Sequence, residues 1–408
     1  MRKVVVTGLG VVCAAGHDTA QFRDSLTAGR SGLGLITQYD VSSLHSRVGA
    51  EVKGFSFDPH VPPNDQKHLD RHSLLAIAAA DQAVAEAGLD TSADSHRAGV
   101  ILGTGMGPCE TIETMFTEVH IEGRKPRPTT IPRSMFNAPA GHLSMRYGCR
   151  GPSQMIVTAC SSSAHAIGQA ANFIRHGVCD ACLAGGVEVL PTLGLLSAWD
   201  SLRVMSRDND HAERSCRPFS RDREGFVMGE GAALLVLESE ERARAREAVI
   251  HGEVAGIGLS SDAHHITQPQ LEGLELALNN ALADAGVRAE EVGYINAHGT
   301  GTQINDPLET RAIKAALGDH ARRVAISSTK SAHGHTIGAA GALEAIATLL
   351  GMNHGFVPPT LHLDDPDPEC DLDYVPREAR AARFDVALSN SFAFGGHNVV
   401  LVLRRYQG

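Results

Sequence analysis

The sequence predicts an α/β protein with largely buried strands, and three observations carry this prediction. Short β-branched runs alternate with Ala-rich helical stretches along the 408 residues. Several helical stretches are followed by a glycine suited to a left-handed C-cap, at Gly88, Gly177, Gly286, Gly318 and Gly355. A strand, a turn and an Ala/Gly-rich helix, with Ser-Ala-His in both copies, occur at 154–176 and again at 324–354. This echo is compatible with chance or with an internal duplication.

The predicted elements follow from these runs in chain order. Strands are expected at 3–7, 99–102, 154–158, 181–187, 232–238, 253–259, 293–296, 324–328, 385–389 and 399–403. Helices are expected at 70–87, 161–176, 273–285, 307–317 and 337–352. At the N-terminus, Arg2 and Lys3 before the apolar run 4–15 imitate a signal peptide. Because Gly8 and Gly10 interrupt that run, a strand that ends in a glycine turn is the better interpretation.

Composition excludes several classes of protein. Hydrophobic residues make up 43% and charged residues 20%, a globular balance that excludes a disordered or collagen-like chain. The net charge of −11 argues against a nucleic-acid binder, which would be basic. Eight cysteines are too few for a disulfide scaffold, so we expect a cytoplasmic protein with reduced thiols. No apolar run reaches the roughly 18 residues that a membrane helix needs.

Four segments at predicted strand ends carry residues suited to chemistry. Cys160 lies at a strand-to-helix turn, where free amides and the helix dipole favour a thiolate, although a buried structural cysteine is the alternative. His298 follows the strand 293–296 in a glycine-rich loop. Lys330 and His335 follow another strand, with Glu344 as a plausible partner for the lysine, although a structural ion pair is the alternative. The loop 390–398 holds paired glycines that suit a hinge or an oxyanion site, or a plain Gly-rich hairpin. Because ligand sites of open α/β folds gather at the carboxyl ends of strands, these segments together predict one active site.

The same four segments resemble a known family. TACSSS around Cys160, NAHGTGT around His298, STKSAHGHTIGAAG around Lys330 and His335, and NSFAFGG around Phe394 are similar to the condensing enzymes. The similarity is to the β-ketoacyl-acyl carrier protein synthases of type II and the ketosynthases of type II polyketide synthases, and it spans nearly the whole chain. It implies the thiolase-like fold, with duplicated βαβ halves in a five-layered αβαβα arrangement. The halves would be residues 1–250, which carry Cys160, and residues 251–408, which carry His298, Lys330, His335 and the Phe394 loop.

The resemblance also implies a reaction and a role for each residue. Cys160 would accept an acyl chain from a carrier protein, and a malonyl unit would then be decarboxylated and condensed with it, in fatty-acid or polyketide elongation. His298 and His335 would hold the enolate oxygen, and the amides of Cys160 and Phe394 would form the oxyanion hole. Lys330, paired with Glu344, would organise the second histidine electrostatically. Four residues would support the His298 loop: Thr300, Thr302, Asp306 and Glu309.

Partners follow from the same resemblance. The substrates would arrive on the phosphopantetheine of acyl carrier protein, and no cofactor or metal of the protein's own is expected. The protein would be a homodimer or a heterodimer with a chain-length factor. Because the carrier is acidic like this chain, a local basic patch must dock it. The candidates are Lys67, Arg124, Lys125, Arg127, Arg203 and Arg207.

Two positions depart from the family pattern. Ala393 replaces the first glycine of Phe-Gly-Phe-Gly-Gly, and His397 follows the glycine pair. The gate would comprise Ala393, Phe394, Gly395 and Gly396, and the alanine methyl would stiffen it.

Competing interpretations remain open at this stage. A non-catalytic chain-length-factor-like subunit would lack Cys160. A thiolase-type acyltransferase would need a second catalytic cysteine, for which Cys370 lies in an unsuitable acidic loop. The CxxC pattern at Cys179 and Cys182 opens a buried strand without a second ligand pair, so a zinc or redox role is disfavoured.

Overall fold

The computed structural model describes residues 1–408, and its elements follow the predicted alternation. The strands are β1 (Val4–Cys13), β2 (Gly34–Leu35), β3 (Val48–Ala50), β4 (Ala98–Gly103), β5 (Ser153–Ile156), β6 (Ala181–Glu188), β7 (Met228–Gly229), β8 (Gly231–Ser239), β9 (Gly252–Ser261), β10 (Tyr294–Asn296), β11 (Ala325–Ser327), β12 (Phe356–Val357), β13 (Arg380–Ala381), β14 (Val386–Ala393) and β15 (His397–Arg404). The α-helices are α1 (Thr19–Ala28), α2 (Pro63–Gln66), α3 (Arg71–Ala87), α4 (Cys109–Phe116), α5 (Thr130–Ser134), α6 (Ala138–Tyr147), α7 (Ser162–Arg175), α8 (Leu193–Leu202), α9 (Glu240–Ala245), α10 (Leu271–Ala285), α11 (Asn305–Leu317), α12 (Lys330–His333) and α13 (Ala340–His354). Each of the ten predicted strands and five predicted helices corresponds to one of these elements.

Ten strands hydrogen-bond in the order β11-β10-β14-β15-β9-β1-β8-β6-β4-β5. The five strands before residue 240 lie on one side and the five after residue 251 on the other, joined where β1 pairs with β9. Both halves have the same pattern: two parallel pairs at the outer edge and antiparallel pairs toward the centre. The predicted boundary at residue 250 falls between α9 and β9. The chain is therefore built from two topologically equivalent halves.

The helices complete the layers. α7 contacts strands of both half-sheets, β4 and β6 on one side and β9 and β15 on the other, and α13 does the same. These two helices pack on each other in the middle. α3 and α6 cover the outer face of the first half-sheet, and α10, joined by α11, covers that of the second. This is the predicted αβαβα order. None of the helices has both the length and the apolar character that a membrane span requires.

The duplication extends to single glycines in β1 and β9. Each strand has ten residues with a bulge at the fourth, and a pair of glycines follows the bulge. A Cβ on Gly10 would lie 1.9 Å from the Ala79 carbonyl oxygen of α3, and a Cβ on Gly258 would lie 1.9 Å from the Ala277 carbonyl oxygen of α10. Strand and helix backbones therefore touch in both halves, which only glycine permits.

Two local expectations need correction. The turn expected at Gly8 and Gly10 is wrong: β1 continues to Cys13, because these glycines admit α3 rather than bend the chain. Gly318 does not form the predicted left-handed cap, since its ψ is −138°, whereas Gly88, Gly286 and Gly355 do.

Candidate active site

Cys160 lies in a strained turn between β5 and α7. A single turn of 3₁₀-helix, Ala159–Ser161, carries it, and Ala159 adopts a φ of 50°, which non-glycine residues rarely do. Strain of this kind persists only where the surroundings impose it, and it presents the residue that follows at the start of a helix. The Cys160 side chain is buried and faces a cavity of about 350 Å³.

Three predicted residues from different elements converge on this cavity. The Cys160 sulfur and one ring nitrogen each of His298 and His335 lie within 4.8 Å of one another. The two imidazole rings meet edge to face, with centroids 5.5 Å apart. His298 follows β10, and His335 follows β11 by way of α12. Because both strands belong to the second half and Cys160 to the first, the site is assembled across the interface between the halves.

The cavity walls are mostly apolar. Trp199 from α8, Phe226, Ile337 and Phe392 surround the sulfur and the imidazoles, while Arg203, Ile266 and Ile304 lie at more exposed positions. Cys370, the cysteine that a thiolase-type mechanism would require, is buried elsewhere in the core of the second half and does not line the cavity. The site thus presents one thiol to an apolar ligand.

Burial, rather than the helix dipole, dominates the ionisation of Cys160. It raises the pKa of the thiol to about 12, although the Lys330 charge and the backbone N–H groups of Phe394 and Cys160 lower it. The expectation that the helix start favours a thiolate needs correction, because burial of the sulfur outweighs the groups that lower its pKa. The same two N–H groups are near enough to the sulfur to influence its ionisation, and backbone donors beside a nucleophile suit an oxyanion hole.

Both histidines are neutral at neutral pH. Burial lowers the pKa of His298 and of His335 well below the ordinary value, and the nearby Lys330 charge lowers both further. A neutral imidazole can accept the thiol proton or donate one N–H to an oxygen anion. The pair therefore supplies a base and hydrogen-bond donors in one dry pocket.

Lys330 contacts the first histidine rather than the second. Its Nζ donates to the His298 carbonyl oxygen at 2.6 Å and lies 3.4 Å from His298 Nδ1. An ammonium group can only donate, so Nδ1 accepts and the His298 proton resides on Nε2. Lys330 makes no hydrogen bond to His335, and the electrostatic influence expected of it on that ring is a lowering of the pKa of His335. Lys330 pairs with Glu344, as predicted, and both side chains are fully buried.

The predicted supporting residues shape the His298 loop. Glu309 accepts from the backbone N–H groups of His298 and Gly299, each at 2.8 Å. Asp306 accepts from the N–H of Gly301 at 3.2 Å. Thr300 and Thr302 share a hydrogen bond of 3.0 Å between their hydroxyls. Two buried carboxylates thus fix the backbone on which the imidazole is mounted.

The predicted gate differs from expectation at Ala393. This residue ends β14, pairs with His397 and has no positive φ, so its methyl group is unstrained. Torsional freedom resides instead at Gly395 and Gly396, with φ of 83° and 71°. The Phe394 ring stacks on Trp199, with centroids 6.0 Å apart.

The carrier-docking candidates are all exposed, but they are not equivalent. Arg203 lies at the rim of the cavity. Arg124 forms ion pairs with Glu122 and Glu118, whereas Lys67, Lys125, Arg127, Arg203 and Arg207 form none. Arg203 is therefore both uncompensated and close to the opening.

Other cysteine and histidine features stay outside this chemistry. Cys179 and Cys182 are buried with their sulfurs 3.5 Å apart, and they do not line the cavity. The donor atoms of Cys160, His298 and His335 could in principle hold a metal ion, but the Lys330 ammonium beside His298 opposes a second cation there.

Sequence reasoning missed two residues at the site, the half-buried Trp199 and the fully buried Glu188. Trp199 is the sole tryptophan and forms a cavity wall. Glu188 ends β6 and bonds to two loops next to the cavity. A carboxylate at the end of an otherwise apolar strand was the available signal for Glu188.

The comparisons agree with this geometry. The chain matches the profile described as "Beta-ketoacyl synthase, N-terminal domain" over residues 1–243, and the corresponding C-terminal domain over residues 251–364. It is 43% identical to a 3-oxoacyl-[acyl-carrier-protein] synthase 2 of Synechocystis, covering 100% of this chain and 99% of the relative. It is 44% identical to Nodulation protein E of a Rhizobium species, covering 99% of each.

Among solved structures, one neighbour is a type II polyketide ketosynthase in complex with its acyl-carrier protein. The TM-score is 0.92 at 31% identity, and the match covers 100% of both chains.

Proposed function

Since the chain belongs to the β-ketoacyl synthase family, we propose that it is an elongating β-ketoacyl-acyl carrier protein synthase. It transfers an acyl chain to Cys160 and condenses that chain with a malonyl unit. Both substrates arrive on the phosphopantetheine arm of a carrier protein, and the reaction requires no cofactor of the enzyme's own.

Acyl loading begins with proton transfer from the Cys160 thiol to one of the neutral imidazoles within 4.8 Å. The thiolate attacks the acyl thioester carbonyl, and the resulting oxyanion is held by the N–H groups of Cys160 and Phe394. The tetrahedral intermediate collapses, the acyl–Cys160 thioester forms, and the carrier thiol leaves with a proton.

Condensation then uses both histidines as donors. The malonyl thioester loses CO₂, and the enolate oxygen accepts hydrogen bonds from His298 Nε2–H and from His335. The nucleophilic carbon attacks the acyl thioester on Cys160, and the carbon–sulfur bond breaks to return the thiolate. Exclusion of water by the apolar walls protects the enolate from protonation.

A single observation carries this proposal: a lone buried thiol with two neutral imidazoles and two backbone donors at the floor of an apolar cavity. The test is incubation with acyl carriers of several chain lengths and malonyl carrier, followed by mass spectrometry of protein and products. We expect a mass increase on Cys160 and a product two carbons longer. Absence of both with every chain length contradicts the proposal, and product length separates fatty-acid from polyketide elongation.

The competing classes find less support. A chain-length-factor-like subunit lacks the nucleophile, whereas Cys160 here faces the cavity with both histidines. A thiolase-type enzyme needs a second cysteine at the cavity, and Cys370 is buried in the second-half core.

Carrier docking centres, in this proposal, on the cavity rim. A solved neighbour binds an acyl-carrier protein, and Arg203 lies at the rim of the cavity, free of ion pairs. An acidic carrier is attracted by uncompensated cations and little by Arg124, which Glu122 neutralises. Arg203→Glu should weaken carrier binding more than Arg124→Glu, measured by titration at low salt.

Alkylation of Cys160 by iodoacetamide serves as the control, since it should be equal in both variants. Equal carrier affinity of both variants and wild type would remove Arg203 from the docking surface.

We also propose that a second ketosynthase-like chain covers the outer edge of the first half-sheet. Strand β5 has no neighbour on one side, and two apolar side chains beside it are exposed: Val157, which directly follows β5, and Met145, on the helix α6 that contacts β5. An open edge with exposed apolar residues is a natural pairing surface. Analytical ultracentrifugation should give twice the chain mass for a homodimer. A monomeric mass that doubles only with an added chain-length factor would indicate the heterodimer.

A further inference from the structure

Glu188 is a buried carboxylate that binds only backbone and hydroxyl donors. One oxygen accepts from the N–H groups of Gly105 at 2.6 Å and Gly338 at 2.9 Å. The other accepts from Met106 at 3.1 Å, Gly107 at 3.3 Å and the Thr104 hydroxyl at 3.2 Å. No cation pairs with it, and its side chain is fully buried. Five donors from two separate segments therefore meet at one side chain.

The internal duplication explains what this carboxylate replaces. Strand registers align β6 with β14, so Glu188 is the counterpart of Ala393, which precedes the oxyanion-hole residue Phe394. The turn at Ile337, with a φ of 39°, is the counterpart of the turn at Ala159. Gly338 thus corresponds to Cys160, and its N–H donates to Glu188 rather than facing an open cavity. The carboxylate therefore accepts from the counterpart of one oxyanion-hole donor, the N–H of Cys160.

One segment that Glu188 joins lines the acyl cavity, and the other contacts a residue that lines it. Ile337, next to Gly338, lines the cavity directly. Met106 accepts a hydrogen bond from Trp199 Nε1 at 3.3 Å, and Trp199 lines the cavity and stacks on Phe394. One side chain therefore couples the wall at Ile337 to the wall at Trp199.

We propose that Glu188 is a positioning residue that clamps the 104–107 loop to the 337–338 turn and so sets the width of the acyl cavity. It does not touch the substrate. The space between the two segments has no room for another side chain. A Cβ on Gly105 would lie 2.7 Å from Glu188 Oε2, and a Cβ on Gly338 would lie 2.2 Å from the Gly105 nitrogen. The effect on acyl transfer rests on the proposed function, whereas the effect on the cavity does not.

The chemistry requires an acceptor on both oxygen positions. Glu188→Gln keeps the shape, but its amide nitrogen donates and must face at least two backbone N–H groups that also donate. Glu188→Asp keeps the charge but is one methylene too short to reach both segments. If Glu188 acts as a clamp, both variants lose its effect. If its role were purely electrostatic, Glu188→Asp would keep that effect.

The experiment compares both variants with Glu238→Gln, a matched control. Glu238 is an equally buried glutamate on the neighbouring strand β8, bound to Thr7, Arg242 and Arg246 and absent from the cavity walls. Three quantities are measured well below each melting temperature: acyl loading rates for short and long chains, the fluorescence spectrum of Trp199, and Cys160 alkylation by iodoacetamide.

We expect both Glu188 variants to lose about tenfold to a hundredfold in loading, which is typical of misplacement by about 1 Å. The ratio of long-chain to short-chain rates should change, and the Trp199 spectrum should shift even without substrate. Glu238→Gln should lower the melting temperature without moving the ratio or the spectrum.

Several results overturn the clamp. An unchanged rate ratio and spectrum in Glu188→Gln would do so, as would wild-type behaviour of Glu188→Asp. If Glu188→Gln does not fold, Glu188→Asp alone decides by the same two readouts. Failure of the wild type to load any acyl chain contradicts the proposed function instead, and the Trp199 spectrum still tests the clamp.

Discussion

The two turns that begin the central helices share a backbone and differ in what surrounds them. At 158–162 a residue with positive φ precedes Cys160, and at 336–340 a residue with positive φ precedes Gly338. α7 starts two residues after Cys160, and α13 starts two residues after Gly338. Cys160 faces a cavity, whereas Gly338 is packed against the Gly105 backbone.

The difference arises from the loops that the opposite half supplies. The second half brings His298, His335 and Phe394 to Cys160 and leaves space between them. The first half brings the 104–107 loop and Glu188 to Gly338 and fills the space completely. The start of each central helix therefore offers a position for a nucleophile. The loops of the opposite half determine whether that position faces a cavity or is packed against backbone.

Removal of the Cys160 thiol should have the largest effect on activity of all the changes considered at the two turns. Cys160→Ala is expected to reduce acyl loading and condensation to background, because the fold offers no second thiol in the cavity. Intact-protein mass spectrometry after incubation with acyl carrier measures the loading. Cys109→Ala, a buried cysteine outside the cavity, should load like wild type. An acyl adduct on any cysteine of an active Cys160→Ala variant would contradict the assignment.

A Lys330 variant should show how much the lysine charge contributes to the chemistry at Cys160, apart from its contribution to folding stability. Lys330→Met leaves Glu344 buried without its partner, which typically costs about 3–5 kcal/mol of folding stability. It also removes one cause of the low pKa of His298 and His335, so their pKa values rise. The neutral imidazoles are needed for condensation, and they protonate as pH falls through their pKa. The acid limb of the rate profile should therefore move to higher pH.

A double variant controls for the loss of stability. Lys330→Met with Glu344→Gln should recover part of the melting temperature and keep the shifted acid limb. An acid limb identical to wild type in both variants would show that Lys330 does not set the histidine pKa values.

Adding a methyl group at Gly338 should destabilise the protein more than removing the methyl group of Ala159. Gly338→Ala places a methyl group 2.2 Å from the Gly105 nitrogen and is expected to cost about 1–3 kcal/mol through overpacking. Ala159→Gly relieves a φ of 50° but increases the freedom of the unfolded chain, so the two effects largely cancel. Urea denaturation compares the two variants. Equal destabilisation of the two variants would contradict the conclusion that the surroundings distinguish the turns.

The sequence predicts the strands and helices around the two turns better than it predicts how the surroundings of the turns differ. Apolar periodicity located the strands and central helices, because burial on both faces leaves a strong pattern. It ended β1 too early, since Gly8 and Gly10 have the composition of a turn and reveal their role only against α3. The helices α1 and α6 were missed because their buried faces are narrow and polar residues dominate the rest.

The candidate site shows the same limit. Cys160, His298 and His335 could be found because each follows a predicted strand, and strand ends share one edge of the sheet. Contacts between distant segments left no such pattern: Lys330 with His298 rather than His335, and Glu188 with Gly338. The raised pKa of Cys160 left no local signal, because the free amides and dipole of a helix start favour a thiolate, whereas the burial that raises the pKa depends on the folded structure.

The smallest expected effect concerns Ala393, the counterpart of Glu188 at the open turn. Because Ala393 is extended and paired with His397, its methyl group stores no strain in this state. Any influence acts through conformations in which the Phe394 loop moves, where alanine reduces backbone freedom by about 0.4–1 kcal/mol relative to glycine. Ala393→Gly should therefore speed loading of long acyl chains on Cys160 by about twofold to fivefold and leave short chains nearly unchanged.

Single-turnover loading with short and long acyl carriers measures this difference within one variant. The Phe394 ring rests on Trp199, so a looser loop should also show faster exchange of that stack in tryptophan fluorescence quenching. Equal rates for both chain lengths in wild type and Ala393→Gly would place the gate entirely at Gly395 and Gly396, whose positive φ values already supply the freedom that the loop needs.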